Sequence, residues 1–437
     1  MKPSKYNIIS KIHNSEDFFI VNPLTNNADI LSADEARKLL ATDVVSDEGF
    51  SEKGYIADPQ EEERLFRRSY LDFIDERDKD EVQLFYVNNY SCNFLCSYCY
   101  QSGYSNEKTE YDPEVADRFF EYARANFSTR KYYVTLFGGE PLLPQNEGFL
   151  AHFLGLCRKY GIEAAIVTNG YFLKKYLSLL SENRIREIQV TLDGTEKIHD
   201  SRRHLKNGTR TFGKITEGID AALAHGFSIN LRTVIDRDNI EDLPSLARFA
   251  IQKGWTGNPL FKTQLGRNYE LHYCQSGTGK LYSRIELYRD IYGMIADFPE
   301  ILEFHRPAMS VSKYLFEQGK LPPPLFDACP GCKTEWAFDY TGKIYSCTAN
   351  VGKEGEELGT FYPEVRINWD AVNEWQNRDI LSVAGCRNCN LALACGGGCA
   401  AVAKNNRGNI LSPDCRPVKE LLELGISLYG NLNTVEK

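Results

Sequence analysis

The 437-residue sequence predicts an α/β protein: a partial (β/α)6 barrel between a small N-terminal α+β domain and a C-terminal cysteine-rich domain. Three observations carry that expectation. Between residues 82 and 266, six apolar strand-like runs alternate with amphipathic helix-like runs, the pattern of a parallel sheet with right-handed crossovers. Polar or glycine-rich residues recur where the strand runs end. Thirteen cysteines fall mostly into two groups, at 92–99 and 329–415. Six units make an incomplete barrel or a curled open sheet.

The composition is that of an ordinary globular chain, with 42% hydrophobic and 25% charged residues. A net charge of −9 gives no bulk electrostatic reason for nucleic-acid binding; basic stretches such as DSRRHLKNGTR read as solvated faces. No apolar run suits a signal peptide or a membrane span of about 20 residues, so a cytoplasmic protein without membrane partners is expected. In a reducing compartment thirteen cysteines argue for metal sites over disulfides, and an odd number excludes complete pairing within one chain.

In residues 1–80, FFIVNPLTNNADILS reads as two strands around an NPLTNN turn, ADEARKLL as a helix and QEEERLFRRSYLDFI as a second helix. The barrel is expected over 81–270. VQLFYVNN is its first strand, followed by the helix PEVADRFFEYARANF with Val115, Phe119, Tyr122 and Ala123 on one face. The pairs YYVTLFGG and EGFLAHFLGLCRKYG, AAIVTNG and FLKKYLSLLSEN, EIQVTLDG and FGKITEGIDAALAHGF, SINLRTVID and LPSLARFAIQKG follow. LFKTQLG is the sixth strand. Residues 271–328 read as a helical linker closed by PPP at 322–324. Residues 329–437 form a domain organised around metal instead of hydrocarbon, with a C-terminal helix.

Cys92, Cys96 and Cys99 have the spacing C-x3-C-x2-C just after the first strand. At the same carboxyl edge lie GGEP (138–141), TNG (168–170), TLDG (191–194), Arg232 and Gln264. That edge is where parallel βα architectures bind ligands. Structural zinc takes four closed ligands. Three clustered thiolates suit a cubane iron–sulfur cluster with one iron left open; zinc completed from elsewhere is the alternative.

With FGGEP after strand two and TNG and LDG in register, CNFLCSYC resembles the radical S-adenosylmethionine (SAM) superfamily, over residues 82–266. The resemblance implies a 4Fe–4S cluster whose open iron chelates the amino and carboxylate groups of SAM. One electron then cleaves SAM to a 5′-deoxyadenosyl radical that abstracts hydrogen from a C–H bond. It also implies that Tyr98 lies along the adenine and that Gly138, Gly139 and Glu140 hold the methionine end. In this reading a β-carbon on those glycines would block the amino group. Asn169, Thr191 and Asp193 fall to the ribose and carboxylate surroundings. IHDSRR resembles the H-D-x2-R segment of one branch, which draws in His199, Asp200 and Arg203. The alternative for these polar residues is strand-end caps and turn formers.

Cys332-x9-Gly342-x4-Cys347 and Cys386-x2-Cys389-x5-Cys395-x3-Cys399, with Cys415, resemble the seven-cysteine SPASM extension of radical SAM enzymes. Cys329 in CPGC adds an eighth thiolate. The resemblance implies two auxiliary 4Fe–4S clusters, one on Cys329, Cys332, Cys347 and Cys399 and one on Cys386, Cys389, Cys395 and Cys415. Four-ligand zinc would satisfy the same count. Of the two remaining cysteines, Cys157 reads as a packing residue on an apolar helix face and Cys274 as an inert thiol or a site residue. No catalytic acid or base is assigned; Cys274, Arg232 and Gln264 are the catalytic candidates.

Enzymes with this extension mostly modify peptides or proteins. The expected function is therefore oxidative modification, a thioether, ether or C–C crosslink, of a ribosomally synthesised precursor peptide. A flavodoxin or ferredoxin would donate the electron. The alternatives are a small-molecule dehydrogenase, a sulfatase-maturing-type side-chain oxidase, and a non-catalytic metal scaffold. The sulfatase-maturing branch carries Asp directly after the cysteine equivalent to Cys347, where this chain has Thr348. Residues 1–80 are faintly similar to the winged-helix element that captures leader peptides by strand addition; a scaffold cap is the other reading.

Overall fold

The six expected strands form at Val82–Val87, Tyr132–Phe137, Ala164–Thr168, Ile185–Thr191, Ile229–Ile235 and Phe261–Arg267, here strands one to six. They are parallel and lie side by side in chain order. The computed structural model describes residues 1–41, 47–104, 111–268 and 278–435. Val82, Leu84, Leu136, Ile166, Val190 and Leu231 are fully buried, as a parallel sheet with helix-covered faces requires.

The crossover helices carry their own start and stop signals. Asp112 caps the amide of Glu114 ahead of Pro113–Phe127, with proline in the first turn. Glu147–Tyr160 stops at Gly161 in the left-handed region. Between them, Phe119 and Phe153 pack ring on ring against Tyr86 of strand one, and Phe120 packs on both phenylalanines. Cys157 is buried in this layer at 2% exposure.

The sheet does not stop at strand one. Glu335–Asp339 pairs with it in parallel, Glu335 opposite Gln83 and Asp339 opposite Val87. Lys343–Tyr345, Gly359–Thr360 and Arg366–Ile367 then extend the sheet antiparallel to ten strands. The cysteine-rich region is thus a continuation of the barrel's sheet, a correction to the expectation of two bodies joined by a linker. Hydrocarbon burial drives the join: Phe338 is buried against Phe119, Tyr122 and Phe127.

The N-terminal unit adds a strand that sequence reading missed, Ile8–Lys11, to the hairpin Phe18–Asn22 and Asn27–Leu31. Helix Ala33–Leu40 starts on a capping box of Ser32 and Glu35. Asp58 caps Pro59–Arg77. This unit docks on the cysteine-rich region. Tyr6 and Phe66 cluster with Phe326, Ile380, Val383 and Cys386. Ile8, Phe19 and Val21 cluster with Val418, Leu422 and Ile426 of the C-terminal helix Val418–Val435. Helices Arg284–Asp297 and Ser312–Gln318 pack on that same helix.

Inside the cysteine-rich region, Lys333 pairs with Asp327 at 2.6 Å, both nearly fully buried. Arg378, fully buried, donates to the carbonyls of Ile410, Gly397, Gly398 and Ser412. Removing such a group strands several buried acceptors, each costing about 1–3 kcal/mol. Arg378→Met is therefore expected to lower unfolding free energy by about 3 kcal/mol or more, read from urea denaturation of the metal-loaded protein.

His305, which follows helix Ile301–Phe304, sits 3.0 Å from the hydroxyl of Thr263 on strand six. Burial, reinforced by Lys313, pushes its imidazole down from 6.5 to about 4. The unfolded chain therefore takes up a proton near pH 6.5 that the folded chain refuses. This stability is complete above pH 6.5 and is lost as pH falls toward 4. Lowering pH from 7 to 5 should cost about 2 kcal/mol through this residue. His305→Asn should flatten the pH dependence of the urea midpoint over that interval.

Candidate active site

The chain leaving strand one turns through Asn89, Tyr90 and Ser91 into Cys92, and the loop after strand two lies directly on it. Gly138 and Gly139 have φ of 84° and 42°, a region that side chains disfavour. A β-carbon on Gly139 would lie 2.3 Å from the Ser91 carbonyl oxygen, and one on Gly138 2.6 Å from Val87. Gly139 is thus demanded by a backbone-on-backbone contact, and Gly138 by the Val87 side chain. Both also line the cavity where the approach of a ligand's amino group was expected.

Glu140 secures that contact. Its amide donates to the Ser91 carbonyl at 2.8 Å. Its carboxylate accepts from the Thr168 hydroxyl and the Asn169 amide, each at 2.6 Å, and from the Leu142 amide at 2.9 Å. Burial pushes the carboxyl up, and these three donors oppose the shift. Asn169, held in this way, donates to Asn93 at 2.8 Å and stands 3.8 Å from the Cys92 sulfur. Glu140 therefore acts behind the site, locking three loops together.

The cysteine loop is fixed from its other side by a short antiparallel ladder. Phe94–Cys96 pairs with Arg203–Leu205, placing Arg203 opposite Cys96. Arg203 donates to the Tyr98 hydroxyl at 2.6 Å, and that hydroxyl donates to Asp193 at 2.5 Å. Arg202, which sequence reading passed over, lies near Asp193 at 3.4 Å and pairs with Asp236 at 2.7 Å. Asp193 is 0% exposed and serves as the centre of this network. His199 is equally buried. Its Nδ1 accepts from the Asp193 amide and its Nε2 meets Thr211; burial drives its imidazole far down, so it stays neutral. Asp200 accepts from the amides of Thr211 and Phe212. His199 and Asp200 are thus helix-joining groups.

These loops surround a cavity of about 390 Å³. Cys92, Cys96, Cys99, Tyr98, Gly138, Gly139, Asn169, Thr191, Arg203 and Arg232 line it; Glu140, Asp193 and Gln264 do not. Gln264 is exposed on strand six. Cys274 lies outside the described residues. The cavity also gathers Tyr100, Gln101, Arg267 and Asn268, with Thr348 and Ala349 from the cysteine-rich region. Gln101 accepts from the Gly139 amide at 2.9 Å. It stands directly after the cysteine motif, and that position was its only sequence signal.

The residues fit an iron–sulfur cluster with SAM. Burial pushes the Cys92 thiol up to about 12 and the Cys96 thiol up to about 11, so becoming thiolates requires the charge of a bound metal. Gln101 Nε2 and Arg203 Nε are buried donors without a partner, and a ligand rich in acceptors would satisfy both. In the cysteine-rich region, Cys347 lies within electrostatic reach of Cys329 and Cys399, and Cys332 of Cys329. Cys386 lies within reach of Cys395, Cys389 and Cys415. Among the described residues, no group of three or more His, Cys, Asp or Glu side chains converges as on a single metal ion.

Residues 89–250 match the family described as the Radical SAM superfamily. GTP 3′,8-cyclase from Campylobacter fetus is 30% identical over 165 residues, 37% of this chain and 50% of that protein. The Helicobacter pylori enzyme of the same name is 25% identical over 308 residues, 66% of this chain and 90% of that protein. The chain spans about half the length of the first curated relatives it matches. Among solved structures it is similar to anSMEcpe with bound AdoMet and a peptide, at TM-score 0.64 and 19% identity, covering 82% of this chain and 100% of that one. It is also similar to Streptococcus suis SuiB bound to the precursor peptide SuiA, at TM-score 0.54 and 15% identity, covering 95% and 99%. These two likenesses establish the fold. Among the described residues no helix is long and apolar enough to cross a membrane.

Gly139→Ala should cost about 1–3 kcal/mol of stability, because the clash is with backbone that has nowhere to relax. It should also lower the iron retained after anaerobic reconstitution, read by iron analysis beside a urea unfolding curve.

Proposed function

From the premise that this chain belongs to the radical SAM superfamily, we propose that it is an oxidative peptide-modifying enzyme with a SPASM-type cysteine-rich domain. When bound, SAM and a reduced 4Fe–4S cluster supply a 5′-deoxyadenosyl radical that takes hydrogen from an unactivated C–H bond. Cys92, Cys96 and Cys99 would hold that cluster. Gly138, Gly139, Asn169 and Thr191 would line the cofactor, with Arg203 and Tyr98 fixing its orientation. Walls from both the barrel and Thr348–Ala349 limit the entry of water to the reacting bond.

The single observation that carries this reading is the convergence of strand-edge residues and Thr348–Ala349 on one cavity. A substrate there touches the barrel and the auxiliary-cysteine region at once. Two further clusters, on Cys329, Cys332, Cys347 and Cys399 and on Cys386, Cys389, Cys395 and Cys415, would accept the electron that an oxidation releases. A flavodoxin or ferredoxin would supply the electron that starts it. The likeness to two peptide-bound enzymes along most of the chain supports a peptide substrate. So does the N-terminal sheet, whose edge strand Asn27–Leu31 offers a backbone ladder to a leader segment. Thr348 bonds the half-buried Glu335 through its amide and hydroxyl at 2.9 and 3.2 Å, so among the described residues this wall presents no free carboxylate. That weakens the sulfatase-maturing alternative. The second reading is a nucleotide substrate, favoured by the relatives named GTP 3′,8-cyclase.

Reconstituted, reduced protein given SAM should release 5′-deoxyadenosine. Co-expression with the short open reading frame nearest its gene should yield a peptide lighter by two hydrogens in mass spectrometry. An unchanged peptide together with SAM-dependent consumption of GTP would overturn the peptide reading in favour of the nucleotide one.

A further inference from the structure

Among the described residues twenty-two line the central cavity, and none of these is Asp or Glu; three are arginines, Arg203, Arg232 and Arg267. Two of the three are engaged. Arg203 donates to Tyr98, and Arg267 donates to the backbone carbonyl of Tyr282. Among the described residues, Arg232 makes no side-chain hydrogen bond and no ion pair. It lies at the centre of strand five, with Thr191 beside it on strand four and Gln264 on strand six.

The fold makes room for this idle guanidinium. A β-carbon on Gly266 of strand six would stand 3.1 Å from Arg232 Nη2 and 3.2 Å from Nε. The side chain therefore lies across strand six where that strand has no side chain of its own. Arg232 is half-buried in the cavity wall, and its five donors, with no acceptor of its own, are free to take a ligand. Tyr100 lies within electrostatic reach of Cys99, Arg232 and Cys347 together. Arg232 thus shares the cavity with Cys99 of the first cysteine set and with Thr348 and Ala349 of the cysteine-rich region.

We infer that Arg232 anchors a carboxylate of the substrate, held bidentately by its guanidinium beside the reacting position. One uncommitted cation suits a monoanion, and the planar fork of arginine matches a carboxylate. A phosphate would call for more than one free cation, and the other two arginines are committed. The assignment deepens the proposed function and rests on the cavity being the substrate site of that reading.

The test uses oxidised, metal-loaded protein and trifluoroacetate as a carboxylate probe, with monofluorophosphate as the phosphate probe, both read by fluorine-19 linewidth. Trifluoroacetate should broaden with wild type in the presence of saturating SAM. The broadening should fall at least about fivefold in Arg232→Gln and be partly restored in Arg232→Lys, with circular dichroism and iron content confirming both variants as folded. Broadening that survives Arg232→Gln would overturn the inference. So would loss of the effect on adding SAM to wild type, which would give Arg232 to the cofactor's own carboxylate, or broadening of monofluorophosphate alone. Absence of 5′-deoxyadenosine from the reduced wild type would sink the functional reading while leaving the linewidth result standing.

Discussion

Glu140 is 1% exposed, joined through its amide to Ser91 and through its carboxylate to Leu142, Thr168 and Asn169. A buried carboxylate is destabilising unless donors surround it. Here the donors are the loops after strands two and three, and the amide's acceptor is the turn into the cysteine motif. One side chain therefore sets the distance between three strand ends. Asn169 relays that position to the Cys92 sulfur. The glycine before Glu140 permits the contact, because any β-carbon would meet the Ser91 carbonyl.

Much of the barrel was legible because its signals are local. Alternating apolar residues gave the six strands, and Asp112 and Gly161 marked helix ends through capping chemistry. What escaped was non-local. Glu335–Asp339 is five residues in a cysteine- and glycine-rich stretch, and only its pairing with Val82–Val87 makes it a strand. Ile8–Lys11 has too few residues to display a period. At the site, the three cysteines and the glycines announced themselves by spacing. Glu140 and Asp193 were expected to face a ligand, and in the structure they are buried and do not line the cavity, because spacing says nothing about which donors a buried carboxylate meets. Thr348 reaches the cavity only because the sheet continues into the cysteine-rich region. Arg203 reaches Cys96 only through the ladder with Phe94–Cys96.

The charge distribution has a common theme. The whole chain is acidic at −9, yet among the described residues the cavity wall carries arginines and no acids, and Lys333 and Arg378 are buried beside Asp327 among the cysteine sets. Thiolates bring negative charge into a poorly solvated interior when they take metal. Buried cations offset that charge, and without metal they are left partly uncompensated. Order in the cysteine-rich region and occupancy by metal are therefore linked.

The docking of the first residues on the last has a bearing on biosynthesis. His13 bonds Ser427, and Ile8, Phe19 and Val21 find their cover in a helix that begins at Val418. A ribosome delivers those three side chains early and their covering surface some four hundred residues later. During elongation the leading segment must wait with an apolar face wet and a sheet edge open, which is a hazard for association between growing chains. Successful production of this protein therefore depends on shielding of that early apolar face as much as on the delivery of iron.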